Sequence, residues 1–390
     1  MKDVVKAAVM EAPGKMAIHE IPMPKLEAGG AIGRMLYAGI CGTDKHSYKG
    51  ESTQYKGTTN AFEIPYNIIP GHENSLVIED ITPEGAKNLE FGGEVLKPGD
   101  RVTMCPDVVC GKCWYCKNIP SYPWCDSGTR WCYGTKRPIT FGKALYGGFA
   151  EYIYIEPGTR LYKIPDGLPD DVASMAEVMA CTYSLDKAKE FNGFSLEGFN
   201  FNDTIVIQGL GPLGLTHLIK ARQLGAGKII VTDISDYKLG LAKEFGADIA
   251  LNVGKTTEEE RVDIVKQETH GLGAALVLEC VGNPAVVPEG LHMLRRSGMY
   301  LELGHFVDCG DVAINIHEIC AKSLRIVGMY NHSHNCYKDC MEMMLRTLDR
   351  VPWDKFFSHT FPLDKADEAM KVSMTEESMK VLIAPNMGEK

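Results

Sequence analysis

The feature that most restricts the fold of this chain is a glycine-rich turn between an apolar strand and a helix. The run IVIQ leads into Gly209-Leu-Gly211-Pro-Leu-Gly214, and the helical segment LTHLIKARQLGA follows. The first glycine permits a tight turn, the second lets the backbone approach a pyrophosphate, and the third lets the helix pack closely. The pattern predicts a dinucleotide site whose contacts are Gly209, Gly211, Pro212, Leu213 and Gly214.

Short apolar strands alternate with helix-length segments around that turn, from about residue 182 to residue 328. This alternation predicts an α/β unit with a doubly wound parallel sheet of the Rossmann type. The strand KIIVT runs into Asp233, whose carboxylate can accept hydrogen bonds from the ribose hydroxyls of NAD and would repel the 2′-phosphate of NADP. NAD is therefore the expected cofactor, although the cation of Lys238 would favour a phosphate.

The chain of 390 residues is longer than a single hydrophobic core usually supports, so two domains are expected. The first third alternates short β-like runs with Gly/Pro turns, which predicts a β-rich, barrel-like unit. The segments MEMMLRTL, ADEAMKVS and KVLIAP near the end are expected to return to that unit. The predicted division is 1–181 for the β-rich unit, 182–328 for the dinucleotide unit and 329–390 for the return.

Charge and cysteine usage limit the possible partners and the compartment. The balance of 41 basic against 51 acidic side chains gives a net charge of −10, which disfavours nucleic acid and anionic membranes as partners. The N-terminal segment lacks the pattern of an export signal, and no apolar run approaches membrane-spanning length. We therefore expect a cytoplasmic protein, in which 13 cysteines are better explained by metal thiolates than by disulfides.

A run of closely spaced cysteines predicts a structural metal site. Cys110, Cys113 and Cys116 follow a C-x2-C-x2-C spacing, and Cys125 comes nine residues later. Four thiolates can bind one tetrahedral zinc ion, which would stabilise an irregular lobe at about residues 105–135. Either Cys132 or Cys105 is an alternative fourth ligand.

Three further segments carry residue types suited to catalysis. They are Cys41-Gly-Thr43-Asp44-Lys-His46, Gly71-His72-Glu73 and AEVMACTY, which contains Glu177. Together with the glycine turn and the cysteine lobe, they resemble in chain order the zinc-containing medium-chain alcohol dehydrogenases. The runs KPGDRV and GGFAEY are also similar to turns of that family. The resemblance covers nearly the whole chain and implies a GroES-like catalytic domain before the Rossmann domain.

The resemblance also implies a catalytic zinc site. Cys41 and His72 would be two of its ligands, and the segment around Glu177 is similar to that of the sorbitol and threonine dehydrogenases, in which a glutamate takes part. Glu73 would exchange with Glu177 or with substrate. Zinc with three protein ligands and one open position is a Lewis acid for an alcohol oxygen. With the lobe, this makes two zinc ions per chain.

The proton path and the reaction follow from the same resemblance. Thr43 would accept the proton of the alcohol, His46 would pass it to solvent through the ribose hydroxyls, and Asp44 would orient the histidine ligand. The implied reaction moves a hydride between NAD and a secondary alcohol or polyol, giving a ketone. The implied assembly is a homotetramer, with a dimer as the alternative.

Two departures from the family pattern leave the substrate open. The lobe lacks the glycine that usually follows the third cysteine, and its fourth cysteine comes one residue later. The loop of residues 47–69 is longer than usual and is expected to shape the substrate pocket with Tyr48, Tyr55, Phe62 and Tyr66.

Other functions on this fold are therefore weighed beside the alcohol or polyol reaction. They are oxidation of a 3-hydroxy amino acid such as threonine and glutathione-dependent or dismutating aldehyde chemistry. A zinc-free quinone or enoyl reductase shares the fold but lacks both cysteine sets. A nucleotide-binding structural or sensor protein would be expected to lose the zinc ligands.

Overall fold

The chain forms two compact units. The computed structural model describes residues 2–51, 53–54, 56–57, 61–119, 124–127, 130–190 and 197–388. One unit comprises Met1–Ala180 with His332–Lys390, and the other comprises Cys181–Asn331. The first unit is thus discontinuous in sequence. The predicted domain boundaries differ from this division by one residue at the first crossing and by three residues at the second.

The first unit is built on a seven-stranded sheet. Its main path, in spatial order, is Arg160–Lys163, Arg101–Cys105, Glu73–Ile81, Ala31–Gly39, Lys380–Ala384 and Phe357–Pro362, and Tyr152–Ile155 also pairs with Ala31–Gly39. The pairs are antiparallel except Phe357–Pro362 with Lys380–Ala384, which is parallel. The predicted β-rich unit is confirmed, and a strand from the end of the chain lies beside Ala31–Gly39.

Smaller elements complete this unit. Three two-stranded pairs are Val4–Ala12 with Lys15–Pro22, Thr53–Gln54 with Phe62–Glu63, and Asp107–Val108 with Trp131–Cys132. The helices are Gly42–Lys49, Pro83–Asn88, Trp114–Asn118, Asp170–Ala173, Ala176–Cys181, Tyr337–Arg346 and Ala366–Ser373, with 3-10 turns at Trp353–Phe356 and Leu363–Lys365. The predicted return of the C-terminal segment as a helix and a strand is therefore seen at ADEAMKVS and KVLIA.

One hydrophobic core joins the two sequence segments of the first unit. Val9, Met35 and Phe149 belong to the same buried cluster as Met370 and Ile383. Burying a large apolar side chain contributes about 1.5–3 kcal/mol, so the return segment is part of what stabilises this unit. Within the described ranges, no helix is both long enough and apolar enough to cross a lipid bilayer.

The second unit contains a six-stranded parallel sheet. In spatial order its strands are Ile249–Asn252, Lys228–Asp233, Thr204–Gln208, Ala274–Glu279, Leu294–Glu302 and Arg325–Gly328. The helices are Tyr183–Glu190, Pro212–Gln223, Asp236–Glu244, Glu258–Gln267, Val287–Met293 and Ile316–Ala321, with a 3-10 turn at Pro284–Val286. The sheet runs outward in both directions from its first strand, the order typical of dinucleotide-binding folds. The predicted doubly wound sheet is confirmed.

Candidate active site

Helix capping fixes the position of Cys41. This residue is extended and precedes the helix Gly42–Lys49, while Asp44 accepts a hydrogen bond from the Cys41 backbone N–H at 2.9 Å. The helix ends at Gly50, whose φ of 91° is left-handed. Asp44 is buried, and burial raises the pKa of its carboxyl group. The cap therefore places the thiol and the carboxylate on one turn of chain.

His72 lies beside this turn. Its Nδ1 is 3.8 Å from Oδ1 of Asp44, and among the residues that the structure describes this buried nitrogen has no hydrogen-bond partner. Burial lowers the pKa of the ring, but the negative groups of Cys41, Asp44 and Glu177 outweigh burial and raise the pKa well above 6.5. Acidic groups thus converge on His72 in an arrangement that would stabilise a bound cation.

Glu177 lies in the first turn of Ala176–Cys181, and its side chain is 9% exposed. Its Oε1 is 3.2 Å from Nδ1 of His332. Burial raises the pKa of Glu177, but His332 and the charges of His72 and Lys380 lower it below its usual value. The carboxylate is therefore ionised near neutral pH, as a metal ligand must be. Sequence reasoning missed His332, because NHSH at 331–334 matches no spacing that indicates a site.

Glu73 has a different partner from the one implied by the resemblance. Its Oε2 accepts a hydrogen bond from Nζ of Lys380, which also donates to the Ile40 carbonyl at 3.2 Å. Both charged side chains are 1% exposed. A buried charge that loses its partner is strongly destabilising, so this pair opposes exchange of Glu73 onto a metal. Lys380 was also missed, since KVLIAP indicates only a strand.

The two residues expected to carry the proton lie on the helix Gly42–Lys49. Oγ1 of Thr43 is 4.0 Å from the Cys41 sulfur. Nδ1 of His46 lies 2.5 Å from Oε2 of Glu51, and the His46 side chain is 29% exposed. The ring thus reaches solvent while a carboxylate holds one of its nitrogens.

The lobe contains a cluster of four thiols that lie close enough together to bind one ion. The sulfur atoms that lie within 4.8 Å of one another belong to Cys110, Cys113, Cys116 and Cys125. Cys125 Sγ accepts the backbone N–H of Cys110 at 3.4 Å. Hydrogen bonds from Ser127 and from backbone N–H groups lower the pKa of the Cys110 thiol to about 6. These hydrogen bonds favour the thiolate form of Cys110, whereas burial and the neighbouring Cys113 raise the pKa of Cys116 to about 12.

The alternative fourth ligands have other surroundings. Cys105 is fully buried, with its sulfur 3.5 Å from Nε2 of His332. Cys132 donates to the Tyr133 carbonyl at 3.4 Å, and burial raises its pKa well above 9.0. Neither thiol belongs to the four-sulfur cluster, which favours Cys125 as the fourth ligand.

The aromatic residues of the 47–69 loop are mostly used in packing. Tyr48 is 4% exposed, and its hydroxyl lies 2.9 Å from the carbonyl oxygen of Gly14 and 2.8 Å from Oδ1 of Asp367, which share its one O–H. Tyr66 donates to the Ser47 carbonyl at 3.2 Å. The ammonium of Lys136 lies 3.8 Å from the centre of the Phe62 ring. Tyr55 lies outside the described residues. Tyr48 therefore anchors the loop to the C-terminal segment.

The glycine turn of the second unit has the geometry of a phosphate cradle. Gly209 has a φ of 87°, and a Cβ at Gly214 would lie 1.9 Å from the Gly209 carbonyl oxygen. A Cβ at Gly211 would meet no described atom within 4 Å. Pro212 begins the helix Pro212–Gln223 directly after the turn, and Leu213 follows in its first turn. Backbone N–H groups at this helix start suit a pyrophosphate.

Asp233 is fixed at the end of its strand by two backbone hydrogen bonds. Oδ2 accepts from the N–H of Leu210 at 2.7 Å, and Oδ1 accepts from the N–H of Ser235 at 2.9 Å. The backbone N–H of Lys238 donates a hydrogen bond to the Ser235 hydroxyl at 3.3 Å. The carboxylate is therefore held next to the glycine turn before any ligand binds.

A further titratable cluster at the ends of neighbouring strands was not predicted. The ligand-type atoms of Glu279, Glu302 and His305 lie within 4.8 Å of one another. Glu279 accepts hydrogen bonds from the N–H groups of Val281, Gly282 and Gly304. Burial and the adjacent Glu302 raise the pKa of Glu279 to about 7. These two carboxyl groups resist joint ionisation.

Glu302→Gln is expected to raise the melting temperature more at pH 8 than at pH 5. Glu279 keeps its proton to about pH 7 in the folded chain but to about 4.5 when unfolded. The folded state binds more protons in this interval, so stability falls as pH rises through it, by on the order of 2 kcal/mol. Removing the Glu302 charge should recover part of this loss. Thermal unfolding at both pH values tests it, and an equal change at both would contradict it.

Both donor sets in the first unit fit zinc. Four thiolates make a closed tetrahedral set of the structural kind, while one thiolate, one imidazole and one carboxylate leave a position open for substrate. The thiol of Cys41 and the carboxylates around the buried ring of His72 fit the second kind.

Known proteins share this architecture. The model for the alcohol dehydrogenase GroES-like domain matches residues 27–166, and the model for zinc-binding dehydrogenase matches residues 212–346. A solved alcohol dehydrogenase from Thermotoga maritima is 30% identical, with a TM-score of 0.86 over 98% of this chain and 99% of its own. The 5-exo-hydroxycamphor dehydrogenase of Pseudomonas putida is 28% identical over 97% of this chain and 98% of its own. The erythritol/L-threitol dehydrogenase of Mycolicibacterium smegmatis is 28% identical over 98% of each chain.

These matches, together with the two-unit fold, define an oxidoreductase that acts on alcohols. The chain belongs to the zinc-containing medium-chain alcohol dehydrogenases, near the polyol branch. The predicted family, the GroES-like plus Rossmann fold class and the enzyme class are confirmed.

Proposed function

We propose that this dehydrogenase moves a hydride from a secondary alcohol or polyol to NAD, giving a ketone, at a zinc held by Cys41, His72 and Glu177. The observation that carries the proposal is that the thiol of Cys41 and the carboxylate of Glu177 both act electrostatically on the buried imidazole of His72. When bound there, zinc supplies Lewis acidity that lowers the pKa of an alcohol. The two relatives named above act on a cyclic hydroxy compound and on tetritols.

The surrounding residues would orient the site and remove the proton. Asp44 lies on the Nδ1 side of His72 and would hold the ring in place. Thr43, near the Cys41 sulfur, would accept the alcohol proton, and His46 would release it to solvent with Glu51 on its other side. Lys380 keeps Glu73 neutralised, which leaves Glu177 as the carboxylate for the metal.

The test is alcohol-dependent reduction of NAD by the purified, zinc-loaded chain. The panel should contain tetritols and hexitols, cyclic secondary alcohols, L-threonine, and formaldehyde with glutathione. We expect turnover with a polyol or a secondary alcohol and loss of turnover when a chelator removes zinc. Turnover of L-threonine alone, or of the glutathione adduct alone, would replace this substrate class with the alternative. Turnover that survives removal of zinc would refute the metal site.

Asp233 supports the choice of NAD, and Asp233→Gly is expected to reverse or abolish that preference. The fixed carboxylate would bind the ribose hydroxyls, and hydrogen bonds to a charged group contribute about 1.5–3 kcal/mol. NAD binding should therefore weaken by roughly one to two orders of magnitude. The measurement compares kcat/KM for NAD and NADP in the wild type, Asp233→Gly and the control Lys238→Ala. The assignment of Asp233 as the residue that selects NAD is wrong if the wild type prefers NADP, or if the ratio of kcat/KM for NAD to that for NADP is unchanged in Asp233→Gly.

We also propose two zinc ions per chain, a homotetramer and a cytoplasmic location. The two separate donor sets support the zinc count, which elemental analysis measures.

The strand Arg325–Gly328 lies at the edge of the second sheet, where Ile326 is 44% exposed, and Ile316, nearby in sequence, is 67% exposed. These exposed apolar side chains suit a subunit interface. Sedimentation equilibrium distinguishes tetramer, dimer and monomer. The cysteines of the lobe form a metal-type set, which suits the reducing conditions of the cytoplasm better than a disulfide would.

A further inference from the structure

We infer that His332 is a positioning residue, which holds the carboxylate of Glu177 in the orientation that binds the catalytic zinc. The inference rests on the proposed function, because it takes Glu177 as a ligand. His332 comes 155 positions after Glu177 in sequence and belongs to the returning segment of the first unit. It is 1% exposed, so its ring is in contact with protein groups and not with bulk water.

The contacts of the ring are consistent with one tautomer. Nδ1 lies 3.2 Å from Oε1 of Glu177, and Nε2 lies 2.9 Å from the hydroxyl of Tyr337. With the proton on Nδ1, the ring faces the carboxylate with a donor, and Nε2 accepts from the tyrosine O–H. The thiol of Cys105, 3.5 Å from Nε2, is a second donor on that side. Tyr337 therefore fixes the orientation of the His332 ring, and the ring in turn restricts the orientation of the Glu177 carboxylate.

Packing keeps Tyr337 itself in place. Its ring stacks on Tyr162 with centroids 4.4 Å apart and planes 3° from parallel. Tyr162 in turn donates to the backbone carbonyl of His334 at 2.7 Å. The segment that carries His332 is thus tied to the strand Arg160–Lys163 on one side and to Tyr337 on the other, and the imidazole has little freedom to rotate.

The partner of Glu177 differs in kind from the partner of Glu73. Lys380 is an ammonium that pairs with the Glu73 carboxylate and competes with a metal for it. An imidazole nitrogen instead lies 3.2 Å from one oxygen of Glu177, and in its neutral form the ring would leave the negative charge of the carboxylate for the metal. Partners that orient metal ligands in this way typically change metal affinity or activity by about 10–100-fold when they are removed.

The experiment compares His332→Leu, which removes the donor, with His332→Asn, whose amide N–H can take the place of Nδ1. Zinc release from the zinc-loaded chain to a chromophoric chelator is followed over time. The kinetic phase of release that is missing in Cys41→Ser is assigned to the catalytic site. We expect this phase to be about 10–100-fold faster in His332→Leu and close to the wild-type rate in His332→Asn. The visible spectrum of the cobalt-substituted chain should change in His332→Leu and recover in His332→Asn.

The control is His334→Leu, which removes a second buried histidine from the same segment. Its ring packs edge-on against Phe91 with centroids 5.4 Å apart. This variant should keep the wild-type release rate and cobalt spectrum. Equal effects in His332→Leu and His334→Leu would overturn the inference, because a general loss of packing would then explain both.

A double variant separates positioning of Glu177 from other effects. In a Glu177→Gln background, His332→Leu should add little to the release rate, whereas an undiminished effect would contradict the inference. If His332→Leu does not fold, Tyr337→Phe replaces it, and faster release supports the inference while an unchanged rate contradicts it. If the wild type binds two zinc ions but no alcohol of the panel supports reduction of NAD, the proposed function is refuted. The inference about His332 is still tested in that case, because the zinc release rates do not depend on turnover.

Discussion

Cys41→Ser is expected to lower kcat by about 10³-fold while the melting temperature stays close to that of the wild type. A Lewis-acid metal contributes several kcal/mol to a reaction of this kind, and about 4 kcal/mol corresponds to a factor of 10³ in rate. The backbone N–H of residue 41 can still donate to Asp44 after the substitution, so the start of the helix Gly42–Lys49 should be preserved. The measurements are steady-state kinetics, metal content and thermal unfolding.

The matched control for this variant is Cys320→Ser, because Cys320 is exposed and lies in the other unit. It should retain both turnover and two zinc ions. A Cys41→Ser chain with wild-type turnover would remove this residue from the site, and a chain that unfolds at a much lower temperature would assign it a structural role instead.

Cys113→Ser is expected to show the opposite pattern, with loss of the lobe zinc and a marked loss of stability. All five residues of the helix Trp114–Asn118 are at least partly exposed, and Trp114 is 63% exposed, so apolar burial contributes little there. Metal-thiolate bonds would then supply most of the stability of the lobe. Losing a structural metal is among the largest effects of single substitutions, and we expect a fall of roughly 3–5 kcal/mol in the free energy of unfolding.

Three measurements test this second variant. Elemental analysis should give one zinc ion instead of two, denaturant unfolding should give the lower stability, and the folded fraction should still turn over substrate. Cys132→Ser is the control within the lobe region, since the Cys132 sulfur is outside the four-thiol cluster. The two-site assignment fails if Cys132→Ser loses zinc and Cys113→Ser keeps it.

The parts of the fold that were predictable from sequence are those set by local backbone chemistry. The spacing of Gly209 and Gly214 allows one strand–turn–helix geometry, because a Cβ at residue 214 would overlap the backbone of residue 209. The four lobe cysteines lie within 15 residues of one another, so their convergence needs no knowledge of tertiary structure. The alternation of short apolar runs with Gly/Pro turns likewise predicted that the first third of the chain would be β-rich.

The parts that were missed depend on contacts between distant segments. Lys380 contacts Glu73 across 307 positions, and Tyr48 donates to Asp367 across 319. In sequence, the lysine is one charged residue at the start of an apolar strand, and the tyrosine is one of several in a loop. No periodicity or spacing distinguishes a lysine that will be fully buried from one that will be solvated.

The insertion of the second unit into the first has a consequence for biosynthesis. Cys41, His72 and Glu177 are translated before the inserted unit, whereas His332 and Lys380 come after it. The dinucleotide unit is continuous and has its own core, so it has all of its residues while the first unit still lacks the strand Lys380–Ala384. On the ribosome, a nascent chain that ends at residue 331 would therefore hold the proposed metal donors without His332 and Lys380, which contact Glu177 and Glu73. We therefore expect the proposed zinc site to be completed only after Lys380 has been translated, which would make metal capture a late step in the maturation of this enzyme.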